Sequence, residues 1–302
     1  MTKKTVLLIG ATGSLGDLIA HELRERGAAL RLLVRARSRS KLSPEIAEYA
    51  ESIVEDDPSV FEGVDTVVSA VQGADETLVN QQLRWLLAAR QAGVRRFIPS
   101  DFSMNFFGLD DGENIHSDFR REFARQADEN KGDVEMVHVL NGGFLDRGVL
   151  FGFLGAVDLD KSEAYLWGEG NHAMEFTTFA DTAAYTAVAA LDDRPVPEHL
   201  YVAGDRLNFH ELVAEIEAGL GREITVINNG SLDDLSAEID QLTANEDTRM
   251  SAVPLMYWRA MISGKGGAGE LQNSRYPEIT PETVREYCAE IANGTAQSPY
   301  MN

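Results

Sequence analysis

The chain has 302 residues, of which 44% are hydrophobic, and a formal net charge of −22. This composition is typical of a folded globular protein and excludes a disordered or fibrous chain. So acidic a surface repels phosphate backbones, which excludes direct nucleic-acid binding. No apolar run reaches the length of a membrane span or of a secretory leader, so we expect a cytoplasmic protein that does not bind membranes.

The first half alternates short β-branched runs with longer segments of helical period. The predicted strands are 6–9, 30–34, 52–54, 66–71, 96–98 and 135–139. A helix is predicted over 15–26, and a second follows from the apolar helical face that contains Val79, Leu83 and Leu86. This alternation predicts βαβ units and an α/β fold, a Rossmann-type doubly wound parallel sheet.

The second half changes character after about Gly143. Asp181 is predicted to be the N-cap of an alanine-rich helix over 182–191, followed by a strand at 200–202, a helix near 208–220, a strand at 224–227 and acidic helices. Residues 295–302 are predicted to form a mobile tail. We therefore expect a nucleotide-binding domain over 1–143, to which later segments can return, and a smaller, mostly helical C-terminal substrate lobe over 144–302.

The single cysteine, Cys288, lies in a segment of helical period near the end of the chain. One cysteine excludes an internal disulfide and any metal site built from several cysteines. The spacing of histidines and carboxylates suggests no other metal site, so we expect no metal. Cys288 is expected to be a buried structural residue.

A glycine-rich loop stands between the first strand and the first helix. Such a loop exposes the unpaired N–H groups and the positive dipole end of the helix to a pyrophosphate. Gly10 permits the turn, Gly13 the close approach of the ligand, and Gly16 the contact of helix and strand. The predicted cofactor contacts in this loop are Gly10, Thr12, Gly13, Ser14, Leu15 and Gly16.

Basic residues follow the second strand, where a protein specific for NAD usually carries an acidic residue. This chain has Arg35, Arg37, Arg39 and Lys41 there. A guanidinium group fits a phosphate with two parallel hydrogen bonds. The sequence therefore predicts that the cofactor is NADP(H), with Arg35, Arg39 and Lys41 at its additional phosphate and Arg37 as a solvated neighbour.

Several segments together resemble the NmrA-like and isoflavone-reductase-like group of atypical short-chain dehydrogenases/reductases. They are residues 10–16, 33–35, 63–69, 93–102, 140–144 and 167–171, and the run from Arg96 to Phe102 is the most specific of them. In order and spacing the resemblance covers roughly residues 5 to 220. It implies an NADPH-dependent activity on that fold.

The resemblance also implies cofactor contacts at the carboxyl ends of the later strands, where ligands of parallel sheets bind. These contacts are Val71, Gln72, Ser100, Asp101, Phe102, Asn141, Gly143 and Phe144. The first two would lie along the ribose and phosphates. Residues 100–102 would border the nicotinamide, and 141–144 would close over it.

His116 occupies the place of a lysine that the reductases of this group share at the start of a helix. Phe119 and Phe123 are then the apolar helical positions that follow that lysine in the group. A histidine titrates near neutral pH and can give or take a proton. Three roles stay open: proton donor, hydrogen-bonding partner of the substrate, or a helix-start histidine without a function. The Tyr-x-x-x-Lys pair of ordinary short-chain dehydrogenases is missing as well.

Aromatic residues are expected to line a substrate pocket beside the nicotinamide. The candidates are Phe106, Phe107, Trp167 and Phe176. His138, in a predicted buried strand, is interpreted as a structural residue rather than a catalytic one. His172 is interpreted as a loop residue.

The leading hypothesis is an NADPH-dependent reductase of a small apolar substrate, aromatic or quinone-like. The alternative is a non-catalytic NADP(H)-sensing NmrA-like regulator that binds a protein partner. An epimerase has less support because the tyrosine and lysine typical of such enzymes are missing. A homodimer is compatible with either function.

Overall fold

The computed structural model describes residues 3–54 and 58–301, and its main feature is a parallel sheet. Within the described residues this sheet has six strands in the order β3-β2-β1-β4-β5-β6. The strands are β1 (Thr5–Ile9), β2 (Ala29–Leu33), β3 (Ser52–Val54), β4 (Thr66–Ser69), β5 (Arg96–Ile98) and β6 (Glu135–Met136). The order runs outward from β1 in both directions, so the prediction of a doubly wound Rossmann-type sheet is confirmed.

Helices cover both faces of the sheet. They are α1 (Ser14–Glu25), α2 (Pro44–Tyr49), α3 (Gln82–Gln91), which continues a π-helical turn at Glu76–Gln81, and α4 (Ile115–Asn130). Val6 and Leu8 of β1 belong to the same apolar cluster as Ile19 of α1, whereas Leu7 packs in another cluster with Phe123 of α4. Successive side chains of a strand point to opposite faces, so an unbroken apolar strand is buried on both.

Shorter strands and further helices make up the rest of the chain. The strands are β7 (His138–Leu140), β8 (Gly143–Phe144), β9 (Val157–Asp158), β10 (Glu163–Trp167), β11 (Met174–Thr177), β12 (His199–Tyr201), β13 (Asp205–Leu207) and β14 (Thr225–Gly230). The helices are α5 (Phe179–Leu191), α6 (Phe209–Leu220), α7 (Leu232–Thr243), α8 (Val253–Ile262) and α9 (Val284–Asn293). The segment predicted as one strand over 135–139 is divided into β6 and β7.

One segment of the second half returns to the nucleotide-binding unit, where β12 and β7 form a two-stranded sheet of their own. β12 pairs in parallel with β7, and α5 packs beside α1. Ala183 and Tyr185 of α5 lie in the apolar cluster that contains Val6 and Leu8. The remaining strands form two small sheets, β14-β10-β9 and β13-β11-β8. Together with α6 to α9 they enclose a separate apolar core around Trp258 and Phe209.

The first residue of α5 corrects one prediction. The helix begins at Phe179, and its N-cap is Thr178, whose hydroxyl accepts a hydrogen bond from the amide of Asp181. The expectation that Asp181 is the N-cap is wrong. Asp181 is the third residue of the helix, where its carboxylate accepts the Thr178 hydroxyl in return, at 2.7 Å. Because Phe179 is buried in the core, the helix begins three residues before the predicted start at residue 182.

The C-terminal segment corrects another prediction, because it packs against the protein as far as Tyr300. Gly294 ends α9 with φ = +72°, a conformation that favours glycine and turns the chain back. The Gln297 carbonyl accepts the Tyr287 hydroxyl at 3.0 Å, and the Ser298 hydroxyl donates to the Asp146 carboxylate at 3.0 Å. The expectation of a mobile tail over 295–302 is wrong for residues 295–300, because these contacts hold the segment against Tyr287 and Asp146. Asn302 lies outside the described residues.

Glu282 gives the stability of the fold a dependence on pH. Burial, with the nearby carboxylates of Glu290, Asp181 and Glu286, raises its pKa to about 7. Between pH 4.5 and 7 the folded chain therefore holds a proton that the unfolded chain has released. The free energy of unfolding must fall across that interval as the pH rises.

We expect Glu282→Gln to remove this part of the pH dependence. Urea denaturation at pH 4.5 and pH 7.5 should show that the wild type loses on the order of 1 kcal/mol more than the variant, because solvent around the half-buried group reduces the effect. Glu246→Gln, which removes an exposed carboxylate, is the control. Parallel curves for wild type and Glu282→Gln would contradict the assignment.

Candidate functional site

The three glycines of the loop between β1 and α1 have different surroundings. A β-carbon on Gly10, whose φ is +96°, would lie 2.3 Å from the carbonyl oxygen of Ala70, and one on Gly16 would lie 2.1 Å from that of Gly10. Neither position can accept a side chain. A β-carbon on Gly13 would meet nothing closer than the Gly10 oxygen at 3.6 Å. The packing of the protein therefore does not require glycine at position 13, and the space beside it fits the close approach of a diphosphate.

The first turn of α1 retains free hydrogen-bond donors. Its N-cap is Gly13, which has no side chain to cap the helix. The N–H groups of the first helical residues have no partner within a helix. Together with the helix dipole they favour an anion at this point, so the loop fits the diphosphate of a dinucleotide.

The basic residues after β2 are exposed and unpaired. In the part of the chain that the structure describes, the side chains of Arg35, Arg37, Arg39 and Lys41 form no hydrogen bond or ion pair. The last three lie on a 3₁₀ turn, Ala36–Lys41, for which Arg35 is the N-cap. Unpaired cations in so acidic a chain fit an anionic ligand beside the edge of β2.

The residues after β4 and β5 are tied to one another. The Ser100 hydroxyl donates to the Val71 carbonyl at 2.5 Å, and the Ser100 amide donates to the buried Gln82 side chain at 2.9 Å. Gln72 is exposed and Phe102 is buried. These bonds fix the carboxyl ends of the two strands, while the Ser100 hydroxyl is occupied by the protein itself.

Asp101 is paired with a histidine in the core. Its carboxylate bonds Nδ1 of His138, and both side chains are buried. The ring of Phe107 lies edge-on to His138 at 5.1 Å and is stacked on His199 at 4.1 Å, while Phe106 is fully buried beside them. The pair is therefore held in the core, while Oδ1 of Asp101 has no partner among the described residues. Two of the predicted pocket aromatics lie around this pair.

Asn141 is the buried polar side chain that best suggests a ligand near the end of the sheet. It is fully buried, and neither its Oδ1 nor its Nδ2 has a hydrogen-bond partner among the described residues. Its backbone carbonyl accepts the Thr177 hydroxyl at 2.6 Å, which fixes the turn into β8. A buried amide without partners is costly, so the site fits a polar group of a bound cofactor there. Phe144 follows, stacked on Phe179 at 4.1 Å.

His116 lies in an apolar environment at the start of α4, where the Asn114 side chain caps the helix by accepting the Ser117 amide. Burial lowers the pKa of its imidazole, and Arg120 lowers it further. The Tyr257 ring is 6.2 Å away. The imidazole is therefore mainly neutral at neutral pH, and it becomes a charged proton donor only in acid.

Two neighbours of this histidine, Arg120 and Tyr257, were not predicted, nor was Phe153, which contacts Tyr257. Arg120 donates to the Tyr257 hydroxyl and to the His116 carbonyl, both at 3.1 Å, and the Phe153 ring lies 6.0 Å from that of Tyr257. Arg120 is one helical turn beyond His116, a spacing that could have indicated it. Tyr257 and Phe153 are too distant along the chain for any local pattern to reveal them.

The other predicted pocket residues lie elsewhere. Trp167 lines a cavity in the second lobe, and Phe176 is fully buried in the core, where it pairs with Gly143. His172 is exposed and packs beside Gly264. The structure thus divides the four predicted pocket aromatics among three surroundings.

The C-terminal segment reaches the cofactor loop. The Ser14 hydroxyl donates to the Pro299 carbonyl at 2.6 Å. Ser14 begins α1, so this bond lies at the helix end that fits the diphosphate. A nucleotide that used the Ser14 hydroxyl would have to displace the Pro299 carbonyl.

Comparison with known proteins agrees with this geometry. Residues 2–107 match the model of the NmrA-like family. The resemblance to the NmrA-like and isoflavone-reductase-like group is confirmed. Isoflavone reductase of Pisum sativum is 24% identical over 74% of this chain and 78% of its own length. Eugenol synthase 1 of Petunia hybrida is 26% identical over 96% of this chain and 99% of its own.

The fold is also shared with solved structures. A structure of AtPrR2 with NADP+ and (+)pinoresinol superimposes with a TM-score of 0.80 at 23% identity, over 97% of this chain and 99% of that one. A crystal structure of isoflavone reductase gives 0.78 at 20% identity, over 96% and 100%. Among the described residues, none of the helices has the length and apolarity needed to span a membrane.

The contrast between Gly13 and Gly16 gives a prediction. Gly13→Ala should leave the melting temperature of the free protein unchanged, because its β-carbon meets no close neighbour. It should weaken NADPH binding by roughly tenfold or more, because the methyl group stands in the path of the diphosphate. Thermal unfolding and NADPH fluorescence titration measure the two quantities.

Gly16→Ala is the matched variant, and it should lower the melting temperature as well as the affinity, because its β-carbon would overlap the Gly10 backbone. An unchanged NADPH affinity in Gly13→Ala would contradict the placement of the diphosphate.

Proposed function

We propose that this chain is an NADPH-dependent reductase of a small aromatic substrate. The observation that carries the proposal is the open Gly13 at the start of α1, with cations beyond the neighbouring strand β2 that have no partner among the described residues. Support comes from the similar proteins, which are named as reductases of isoflavones, pinoresinol and phenylcoumaran benzylic ethers. One similar structure holds NADP+ and pinoresinol together.

In this proposal the loop residues 10–16 hold the diphosphate, and Arg35, Arg39 and Lys41 hold the additional phosphate. Asn141 supplies a buried amide toward the nicotinamide end, and Phe144 covers it. NADPH supplies the hydride when it is bound. The contacts proposed for Val71, Gln72, Phe102 and Gly143 follow from their place at the carboxyl ends of the strands.

The side chains of Asp101 and Ser100 are not proposed to bond directly to the cofactor. Asp101 is paired with His138 through one carboxylate oxygen, and the Ser100 hydroxyl donates to Val71, so these bonds hold both side chains in the wall beside the nicotinamide. Their backbone positions still border that wall.

His116 is proposed as the residue that gives a proton to the reduced substrate. The Tyr257 ring lies beside it and the Phe153 ring packs against Tyr257, and such aromatic surfaces suit an aromatic substrate. Because burial lowers its pKa, a smaller fraction of this histidine is protonated at neutral pH than of a free histidine. Proton donation by this histidine therefore strengthens as the pH falls.

Different parts of the fold are proposed to bind the cofactor and the substrate. Residues 1–143 and the returning segment 179–201 form the cofactor-binding unit, and the rest of 144–302 forms the substrate lobe. We propose that the partner in the reaction is a small molecule and that the protein forms a homodimer.

A non-catalytic NADP(H) sensor is the second candidate. Two observations favour it: the standard lysine and the Tyr-x-x-x-Lys pair are missing, and the Ser14 hydroxyl is bonded to the C-terminal segment. Cofactor binding would then release that segment for a protein partner.

Replacement of Arg35 tests the cofactor choice. Arg35→Glu should lose most of the preference for NADPH over NADH, at least tenfold, because a carboxylate repels the additional phosphate. Arg37→Glu, an exposed neighbour on the same turn, is the control and should change the preference much less. Fluorescence titration with both cofactors measures it. Equal affinities of the wild type for NADPH and NADH would refute the cofactor assignment.

Replacement of His116 tests the proton donor. His116→Ala should lower turnover by roughly 10²-fold, measured as NADPH oxidation with a panel of quinones and aromatic enones. The wild-type rate should rise as the pH falls toward the lowered pKa of His116, and this rise should disappear in the variant. His172→Ala, an exposed histidine, is the control.

The outcome of these assays separates the two functions. An unchanged rate in His116→Ala would remove that residue from the mechanism. NADPH binding without oxidation by any member of the panel would favour the sensor.

A further inference from the structure

We propose that residues 295–301 form an autoinhibitory strap, which competes with NADPH for the start of α1. The strap is bonded at one point to the loop proposed to hold the diphosphate and at another to the turn after β8. This regulation rests on the proposed cofactor site, but it does not depend on whether the protein is a reductase or a sensor.

The first contact lies at the helix end that fits the diphosphate. The Ser14 hydroxyl donates to the Pro299 carbonyl at 2.6 Å, and the 3₁₀ turn Pro299–Met301 lies beside α1. A carbonyl oxygen carries a partial negative charge and accepts hydrogen bonds, as a phosphate oxygen does, so it fits the positive end of the helix dipole. A serine has one O–H donor, so the Pro299 carbonyl and a phosphate cannot both receive it.

The second contact lies toward the nicotinamide part of the proposed cofactor site. The buried Asp146 carboxylate accepts the Ser298 hydroxyl at 3.0 Å and the Gly148 amide at 2.7 Å. Asp146 is two residues beyond Phe144, which is proposed to cover the nicotinamide. Two adjacent residues of the strap, Ser298 and Pro299, therefore join the parts of the chain proposed to hold the nicotinamide and the diphosphate.

Few contacts have to break when the strap leaves. Gln297 and Tyr300 are exposed, while Ala296 packs, partly buried, against the apolar core. The bond between Ser14 and Pro299 joins two neutral groups, and such a bond is weaker than one to a charged phosphate. A bound diphosphate can therefore displace the Pro299 carbonyl.

The chemistry of the strap favours competition with the nucleotide over closure around it. Residues 295–302 contain no lysine, arginine or histidine that could hold a phosphate. Toward α1 the strap presents a carbonyl oxygen, which repels phosphate oxygens, and its proline has no N–H to donate. The strap therefore blocks the anion site and adds no donor to it.

A shortened chain that ends at Gly294 tests the competition. It should bind NADPH about tenfold more tightly than the full chain, because the affinity of the full chain is reduced by the fraction of molecules whose strap is open. A chain that ends at Tyr300 keeps both contacts and is the matched control. Fluorescence titration measures the NADPH affinities, and thermal unfolding shows that each shortened chain is folded.

Adenosine 2′-monophosphate is the control ligand. It carries the additional phosphate expected at Arg35 but no diphosphate, so calorimetric titration should give the same affinity for the full chain and for the chain that ends at Gly294. Tighter binding of both ligands by the shortened chain would show that the shortening changes the whole site, and it would overturn the strap.

Ser298→Glu opens the strap without shortening the chain. Its carboxylate would face that of Asp146, and the repulsion between the two should tighten NADPH binding by roughly fivefold or more. Gln297→Glu adds the same charge at the exposed neighbouring residue and should leave the affinity unchanged. The substitution of Ser298 keeps the test independent of the folding of the shortened chain.

Hydrogen exchange distinguishes a strap that leaves from one that closes over the nucleotide. Saturating NADPH should slow amide exchange in residues 10–16 and speed it in residues 295–301. Slower exchange in both segments, or equal or weaker NADPH affinity in the chain that ends at Gly294, would overturn the strap and leave the cofactor site in place. Absence of NADPH binding by every folded variant would instead remove the cofactor site itself, and the strap with it.

Discussion

The structure depends on one close backbone contact, that of Gly16 at the start of α1 against Gly10 at the end of β1. Because a β-carbon on Gly16 would overlap the Gly10 carbonyl, the helix can approach the strand only with glycine at position 16. A β-carbon on Gly10 would overlap the Ala70 carbonyl after β4, so glycine is needed there by the neighbouring strand. This approach points the free N–H groups of α1 at the carboxyl edge of the sheet. Gly13 differs from these two glycines, because the protein around it would permit a side chain. The absence of a side chain there leaves room for the diphosphate.

Much of the fold could be predicted because its strands are buried on both faces. Continuous apolar runs such as that of β1 indicate such strands directly. The predicted bounds of β3 and β5 agree with the structure residue for residue, although β3 is a partly buried edge strand. Prediction from the local sequence failed where tertiary packing determines the structure. Asp181 and Thr178 are both good caps, and only the burial of Phe179 selects Thr178. The polar tail looked mobile because its partners, such as Asp146, lie far away in sequence.

The site was less predictable than the fold, since it joins residues from distant elements. His116 could be found from a motif, but its environment comes from Tyr257 on α8, which no local spacing connects to it. His138 carries the same imidazole in a different role, because Asp101 pairs with it in the core. Asn141 became informative only when its buried amide proved to lack partners among the described residues. The type of a residue suggests which chemistry it can perform. Its burial and its bonding partners then indicate which role it has.

The most direct measurement is a crystal structure of the protein soaked with NADPH. The account predicts the diphosphate against Gly13 and the first turn of α1, with Arg35 at the additional phosphate. It also predicts that the Ser14 hydroxyl leaves the Pro299 carbonyl for a phosphate oxygen. Crystals in which the C-terminal segment still holds Ser14 and no nucleotide lies at the loop, at saturating NADPH, would contradict it.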